Sequence, residues 1–205
     1  MKVVIIGGGI AGLSMAIYLR SNNIDVVVCE RDETIPVNGN AFLMHSEGVM
    51  VLKELTYGQY SRKTFPGSFI DQFSLRRPND EEVKFQKMDP WQCIKRRDIV
   101  EYLYDFYPSE GIRYSRKFSH FEYEGDKAVA AVFQNGEKEY GDIFIGADGG
   151  RSRVREELFG PTRYTCTRVK EILGIYRSKE ICNRLRGQFT KYQHKEKGEI
   201  VRAHV

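Results

Sequence analysis

The sequence predicts an α/β protein: a parallel sheet with a flanking helix, an antiparallel β-meander, and part of a second antiparallel sheet. Three observations carry that prediction. The first thirty residues read as strand, glycine-rich turn, helix and strand, ending in Asp25-Val-Val-Val-Cys-Glu30. A second strand–turn–helix corner follows at Asp142-Ile143-Phe144-Ile145 and Gly146-Ala147-Asp148-Gly149-Gly150-Arg151-Ser152. Between and after them lie short alternating runs joined by hairpin signals such as Gly125-Asp126 and Asn135-Gly136.

Lys2 to Ile6 is a short β-branched run, the mark of a strand buried on both faces. Ile10 to Ser21 follows as a helix that turns Ile10, Leu13, Ala16, Ile17 and Leu19 to a sheet. Asp25 to Glu30 is the next strand. Arg31 to Asn40, with Pro36 and Gly39, is a polar loop. Ser46 to Leu55 reads as a helix with Ser46 as its N-cap. Phe73 to Arg77 and Glu82 to Gln86 read as strands around Pro78-Asn79-Asp80. Arg97 to Tyr107 is a helix stopped by Pro108. Phe118 to Tyr123, Ala128 to Phe133 and Glu137 to Ile145 are expected as antiparallel strands. Ser152 to Leu158 is a helix ended by Gly160-Pro161. Arg168 to Tyr176 is expected as a strand and Ser178 to Leu185 as a helix capped by Ser178. Gln188 to Tyr192 and Glu199 to His204 are expected as strands.

The 205 residues are 41% hydrophobic and 29% charged, a mix that builds a sizeable core without covalent staples. Cys29, Cys93, Cys166 and Cys182 form no CxxC or CxxxxC pair, so they argue against a zinc ribbon or a redox dithiol and for buried thiols in a reducing compartment. No run approaches the ~18 apolar residues of a membrane span, and the Met1–Ile6 run breaks into glycines with no cleavage pattern behind it. The expectation is a soluble cytoplasmic protein. The net charge is +4, with the excess from Lys170 to Val205, where nine Lys/Arg stand against four Asp/Glu. These charges alternate with Ile, Leu, Phe and Tyr at structural spacing. That makes them a solvated face rather than a nucleic-acid or membrane surface.

Gly7-x-Gly9-x-x-Gly12 sits between a strand and a helix. Gly7 allows the tight turn. Gly9 and Ala11 begin a helix N-terminus whose unpaired N–H groups favour a pyrophosphate. Gly12 lets helix and strand approach. Glu30 ends the second strand eighteen residues on, where its carboxylate suits the hydroxyls of an adenosine ribose. The same carboxylate repels a 2′-phosphate, which disfavours NADP here and leaves NAD and FAD.

The stretch Gly146 to Arg155 resembles the Gly-Ala-Asp-Gly-x-x-Ser-x-Val-Arg motif of the para-hydroxybenzoate-hydroxylase-like, class A flavoprotein monooxygenases, and it matches every specified position. The resemblance implies a Rossmann-like FAD-binding domain with a partial substrate-domain sheet. It places Asp148 near the FAD pyrophosphate and ribose, with Gly146 and Gly149 clearing space and Ser152 capping the next helix. Glu30-Arg31 followed by Gly39-Asn40-Ala41-Phe42-Leu43 looks like the family's stretch that brings backbone to the flavin. Ile94-Lys95-Arg96-Arg97-Asp98-Ile99 resembles its Arg-x-x-Leu helix start, which makes Arg96 the FAD contact, with Arg97 as the alternative. The cofactor set implied is Gly7, Gly9, Ala11, Gly12, Glu30, Arg31, Arg96 and Asp148. The reaction implied uses NAD(P)H as transient reductant and inserts oxygen into a small, often aromatic substrate, with no protein acid or base to nominate. His45 and His120 are expected at the surface. Tyr57, Tyr60 and Trp91 are candidates for a substrate cavity, or for core.

The family's downstream Gly-Asp-Ala motif does not occur; the only Gly-Asp pairs are Gly125-Asp126 and Gly141-Asp142. The chain therefore reads as an N-terminal portion or a short member, expected to hold isoalloxazine poorly. An open sheet edge near residues 199–205 is expected to invite a partner chain. The alternative function is a non-catalytic FAD- or nucleotide-binding fragment completed by such a partner. The expected division is an FAD-binding domain of residues 1–72 and 90–163 and a partial substrate domain of 73–89 and 164–205. The absence of CxxxxC disfavours a disulfide reductase. Trp91 is the only tryptophan, which disfavours a Trp-x-Trp halogenase.

Overall fold

The structure is a computed structural model that describes residues 1–56, 64–165, 178–184, 187–194 and 198–203. In chain order the elements are β1 (Lys2–Ile6), α1 (Ile10–Ser21), β2 (Asp25–Cys29), β3 (Ala41–Met44), α2 (Ser46–Thr56), β4 (Ser68–Arg76), β5 (Glu82–Lys95) and α3 (Arg96–Tyr104). They continue with β6 (Ile112–Arg113), β7 (Phe118–Glu124), β8 (Lys127–Phe133), β9 (Lys138–Tyr140), β10 (Ile143–Gly146), α4 (Arg153–Phe159), α5 (Lys179–Arg184), β11 (Gln188–His194) and β12 (Gly198–Ala203). They divide into two compact units. One is Met1–Val37, Leu55–Arg62 and Val100–Glu171; the other is Asn38–Glu54, Lys63–Ile99 and Ile172–Val205.

The first unit is built on a parallel sheet in the order β10-β1-β2-β6. Alternation along β1 sorts its side chains between two layers. Ile5 faces α1, where its Cγ2 lies 3.3 Å from the place of a Cβ on Gly12. Val4 and Ile6 face the other way and join Val27, Phe118, Phe121, Ala131, Phe133 and Val154 in one buried cluster. That cluster is the floor of the meander β7-β8-β9. Phe121 packs on Phe118 and Phe144 with ring centroids 4.7 and 5.2 Å apart.

The expected run Glu137–Ile145 is two strands, not one. β9 pairs antiparallel with β8, and β10 pairs parallel with β1. The break falls at Gly141-Asp142, where a Cβ on Gly141 would stand 2.6 Å from Val4 Cγ2. Asp142 there accepts from the Lys2 N–H at 2.8 Å and donates its own to the Lys2 carbonyl at 2.9 Å.

The second unit carries a mixed five-stranded sheet in the order β12-β11-β4-β5-β3. β4 and β5 are longer than the hairpin around Pro78 suggested, because each runs on past the bulge at Asp71. Ala41–Met44, which the sequence reading assigned to no element, is a strand and pairs antiparallel with Gln92–Lys95 of β5. This pairing places the segment from Asn38 in the second packing unit, a line different from the functional division expected from sequence. Ser46 is the first residue of α2 rather than its cap: the Val49 N–H bonds the His45 carbonyl at 3.1 Å. The strand expected at Arg168 to Tyr176 lies outside the described residues, as do Tyr57, Tyr60 and Cys166. Cys29 and Cys93 are buried free thiols, as expected.

Candidate functional site

The glycine turn is shaped by what surrounds it. Gly7 has φ +114, and a Cβ there would lie 2.4 Å from the Ala147 carbonyl oxygen and 3.0 Å from Asp148 Cα. Its N–H bonds the Cys29 carbonyl at 2.8 Å, while the Ala147 N–H bonds the Ile6 carbonyl at 2.8 Å. The two motif turns are thus laced together at the carboxyl ends of β1, β2 and β10. Gly12 is held more tightly still: a Cβ would sit 1.9 Å from the Gly7 carbonyl oxygen. Gly9 is the N-cap of α1 and provides no side-chain cap, so the first-turn N–H groups, with exposed Ala11 among them, face outward uncapped.

Glu30 is only 4% exposed. Its Oε2 accepts the Gly8 N–H at 2.7 Å and its Oε1 the Asp32 N–H at 2.9 Å. The backbone beside it is pinned through Arg113 and Arg116. Each carboxylate oxygen keeps a lone pair for a further donor. A Cβ on Gly8 would press on Glu30 Oε2, at 3.0 Å, and Tyr104 Oη, at 3.1 Å, so only glycine lets the turn lie this close to both side chains. Tyr104 Oη is closed to water and has the Tyr114 side chain beside it. A carboxylate acceptor at the end of β2 beside an uncapped helix N-terminus fits the adenosine and pyrophosphate of a dinucleotide.

Asp148 belongs to the same cluster by its backbone, but its carboxylate turns to α4. Oδ1 accepts from Ser152 Oγ at 2.5 Å, and Oδ2 accepts the N–H groups of Arg153 and Val154 at 2.6 and 3.1 Å. Ser152 is the expected N-cap; its Oγ accepts the Arg155 N–H at 2.9 Å. Gly146 makes room for Val154, whose Cγ1 lies 2.8 Å from a Cβ placed there, and Gly149 has open space but needs its φ of +85.

Arg31 is turned outward, 66% exposed, with Asp32 Oδ1 at 3.9 Å. Arg96 belongs to the second unit, where its N–H bonds the Asn40 carbonyl at 3.1 Å and opens α3. Its stem lies across Gly39, which has φ +133 and whose Cβ would stand 2.3 Å from Arg96 Cδ. Arg96 is half-buried and Arg97 exposed. The second unit also has an open hollow of about 580 Å³ lined by His45, Gln86, Lys87, Met88, Asp89 and Trp91. The His45 ring meets Trp91 edge-on at 5.6 Å, and its Nδ1 lies 3.0 Å from Glu47. His45 and His120 are both exposed, as expected.

Sequence reasoning missed Gly8, Tyr104 and Ala147. Gly8 carried a signal as the middle of three glycines. Nothing in a helical Tyr-Asp-Phe-Tyr run marks Tyr104 as a neighbour of residue 30.

Comparison with known proteins agrees with this geometry. A family described as FAD binding domain matches residues 1–183. The chain is 30% identical over 171 residues to the FAD-dependent monooxygenase ausM of Penicillium brasilianum, covering 78% of this chain and 35% of that protein. It is 32% identical over 160 residues to Monooxygenase 1 of Arabidopsis thaliana, covering 76% and 40%. The chain therefore spans little more than a third of the length of these relatives. Among solved structures, Klebsiella pneumoniae HpxO complexed with FAD and uric acid superposes with a TM-score of 0.75 at 20% identity, over 98% of this chain and 55% of that one. The 2,6-dihydroxypyridine-3-hydroxylase of Arthrobacter nicotinovorans gives 0.70 at 22% identity, over 95% and 52%. These two show the fold. Motif, cradle and family match converge: the chain belongs to the FAD-binding domain family of the flavoprotein monooxygenases, whose cofactor is FAD.

Proposed function

We propose that this chain is the FAD-binding part of an NAD(P)H-dependent monooxygenase that hydroxylates a small, aromatic-type molecule. The observation that carries the reading is the lacing of the Gly7–Gly12 turn to the Ala147-Asp148 turn, with the Glu30 carboxylate held beside it.

In this reading the N–H groups at Gly9, Ala11 and Gly12 face the pyrophosphate, and Glu30 accepts from the adenosine ribose through its remaining lone pairs. The Asp148 turn holds Gly7 in shape and lies against the cofactor's phosphate side. Arg96 supplies a guanidinium to the cofactor, and Arg31 a peripheral positive charge. FAD, when bound, supplies the redox and oxygen chemistry; the chain's residues bind, orient and exclude water. The 1–72 and 90–163 segments serve the cofactor, and 73–89 with 164–205 the substrate side. The uric acid bound by the fold neighbour HpxO supports a small-molecule substrate. No helix among the described residues is long and apolar enough to cross a membrane, and we place the protein in the cytoplasm. β12 has one neighbour among the described strands, an edge suited to a partner chain.

A second reading is nucleotide binding without catalysis, with the chain working beside a partner chain. FAD titration followed by flavin fluorescence, together with NAD(P)H oxidation in the presence of phenolic and heteroaromatic compounds, separates the two. Substrate-stimulated NAD(P)H oxidation with bound FAD supports the monooxygenase. FAD binding without oxidation supports the second reading, and no FAD or ADP binding overturns both.

A further inference from the structure

The hollow of about 580 Å³ in the second unit takes no part in holding the cofactor. Its volume lies within the range of small-molecule sites. A bulge makes it. Between the pairs Gln72 with Lys87 and Ile70 with Trp91, β4 has one residue, Asp71, and β5 has three, Met88, Asp89 and Pro90. The extra residues bend β5 and re-aim its side chains, and Pro90 fits there because it has no N–H for a ladder. The aromatic wall is fixed from two sides. β3 ends at Met44, opposite Gln92, which brings His45 beside Trp91. The two rings meet edge-on with centroids 5.6 Å apart. On its other side His45 Nδ1 lies 3.0 Å from Glu47 Oε2. A carboxylate only accepts, so Nδ1 carries the hydrogen and Nε2 is the acceptor of the neutral ring. Lys87 and Asp89, both exposed, add one cation and one anion to the rim.

An aromatic platform, a neutral acceptor and a cation on one wall match a flat ring that carries a hydroxyl and a carboxylate. We propose that this hollow is a subsite for an aromatic hydroxy acid. The ring lies against Trp91, the ring hydroxyl donates to His45 Nε2, and the carboxylate pairs with Lys87. Asp89 repels a carboxylate on its own side, which sets the way round that the molecule lies. The inference rests on the proposed aromatic-type substrate and narrows it to molecules that bear both groups.

Trp91 is the only tryptophan of the chain, so its fluorescence reports on the hollow. The whole chain, with and without FAD, is titrated with 4-hydroxybenzoate, phenol, benzoate and tyramine, and the affinities are checked by calorimetry. Phenol lacks the carboxylate, benzoate lacks the hydroxyl, and tyramine carries an ammonium where the acid is negative. 4-Hydroxybenzoate is expected to shift the Trp91 emission. It should bind about two- to fivefold tighter than phenol and about five- to tenfold tighter than benzoate. Lys87→Gln should weaken 4-hydroxybenzoate about two- to fivefold and leave phenol unchanged. His45→Phe keeps a ring beside Trp91; it should weaken 4-hydroxybenzoate and phenol about five- to tenfold and leave benzoate unchanged. Lys87 is exposed, so its substitution keeps the test decisive even where the His45 variant is destabilised. Tighter binding of tyramine, equal binding of all four probes, an unmoved Trp91 emission, or a Lys87→Gln variant that weakens all probes alike overturns the inference. FAD uptake without probe binding overturns the subsite alone. The expected probe pattern in a chain that takes up neither FAD nor ADP supports the subsite and overturns the proposed function.

Discussion

The carbonyl oxygen of Ala147 lies 2.4 Å from where a Cβ on Gly7 would stand. A glycine of the first motif is therefore required by the backbone of the second, 140 residues along the chain. Gly7→Ala meets both that oxygen and a φ of +114. It is expected to cost at least about 2 kcal/mol in urea denaturation and to abolish FAD binding. Gly136→Ala is the control: its φ is +83 but nothing lies within 4 Å. It should cost only about 1 kcal/mol and spare binding. Equal costs for the two would show that the close approach to Ala147 is unimportant.

Asp148 and Ser152 act as one cap on α4. Ser152→Ala removes the bond to the Arg155 N–H and should cost about 1 kcal/mol. Asp148→Ala leaves three donors unpaired and should cost about 2 kcal/mol. Because Ser152 Oγ donates to Asp148 Oδ1, the double variant should cost less than the sum by about 0.5–1 kcal/mol. Strict additivity in chemical denaturation would refute the coupling.

Arg96 and Arg97 are separated by FAD titration. Arg96→Ala is expected to weaken FAD by about tenfold, the loss of one charge-assisted bond, and Arg97→Ala by less than about twofold. Gly39→Ala should mimic Arg96→Ala in part, because its Cβ would occupy the place of Arg96 Cδ. The reverse order for the two arginines would move the contact to Arg97.

Cys29 gives a pH signature. Burial first, then Glu139, pushes its thiol from 9.0 up to about 12. The folded state thus keeps a proton that the unfolded chain loses above pH 9. The associated stability is complete below 9 and declines as pH rises toward 12, at roughly 1 kcal/mol per pH unit. Urea denaturation at pH 8, 9 and 10 should show a smaller decline for Cys29→Ala than for wild type above pH 9. Parallel profiles would contradict the burial argument. Mass-mapped alkylation at pH 8 should likewise spare Cys29 and Cys93 until the protein unfolds.

Much of the cradle was legible because its pieces are local. β1, α1 and β2 follow from β-branched runs, a glycine spacing and a helical apolar face within thirty residues. Ser152 was legible as a cap because an N-cap is a contact three residues long. The break at Gly141 was not, because β9 and β10 follow one another after only two residues and their different partners, β8 and β1, are what separate them. Ala41–Met44 was not recognised as a strand because its ladder to β5 joins segments about fifty residues apart.

By itself the sequence determined the parallel β-α-β unit, the two glycine turns, Glu30 at the end of β2 and the family motif at Asp148. Each of these is set by φ preference, periodicity or spacing within one segment. Only the tertiary structure decided that the second turn braces Gly7, that the Asp148 carboxylate serves α4, and that Tyr104 packs beside Gly8 and Glu30. Those are contacts between segments brought together by burial, and burial pairs residues by the geometry of packed layers rather than by their order in the chain.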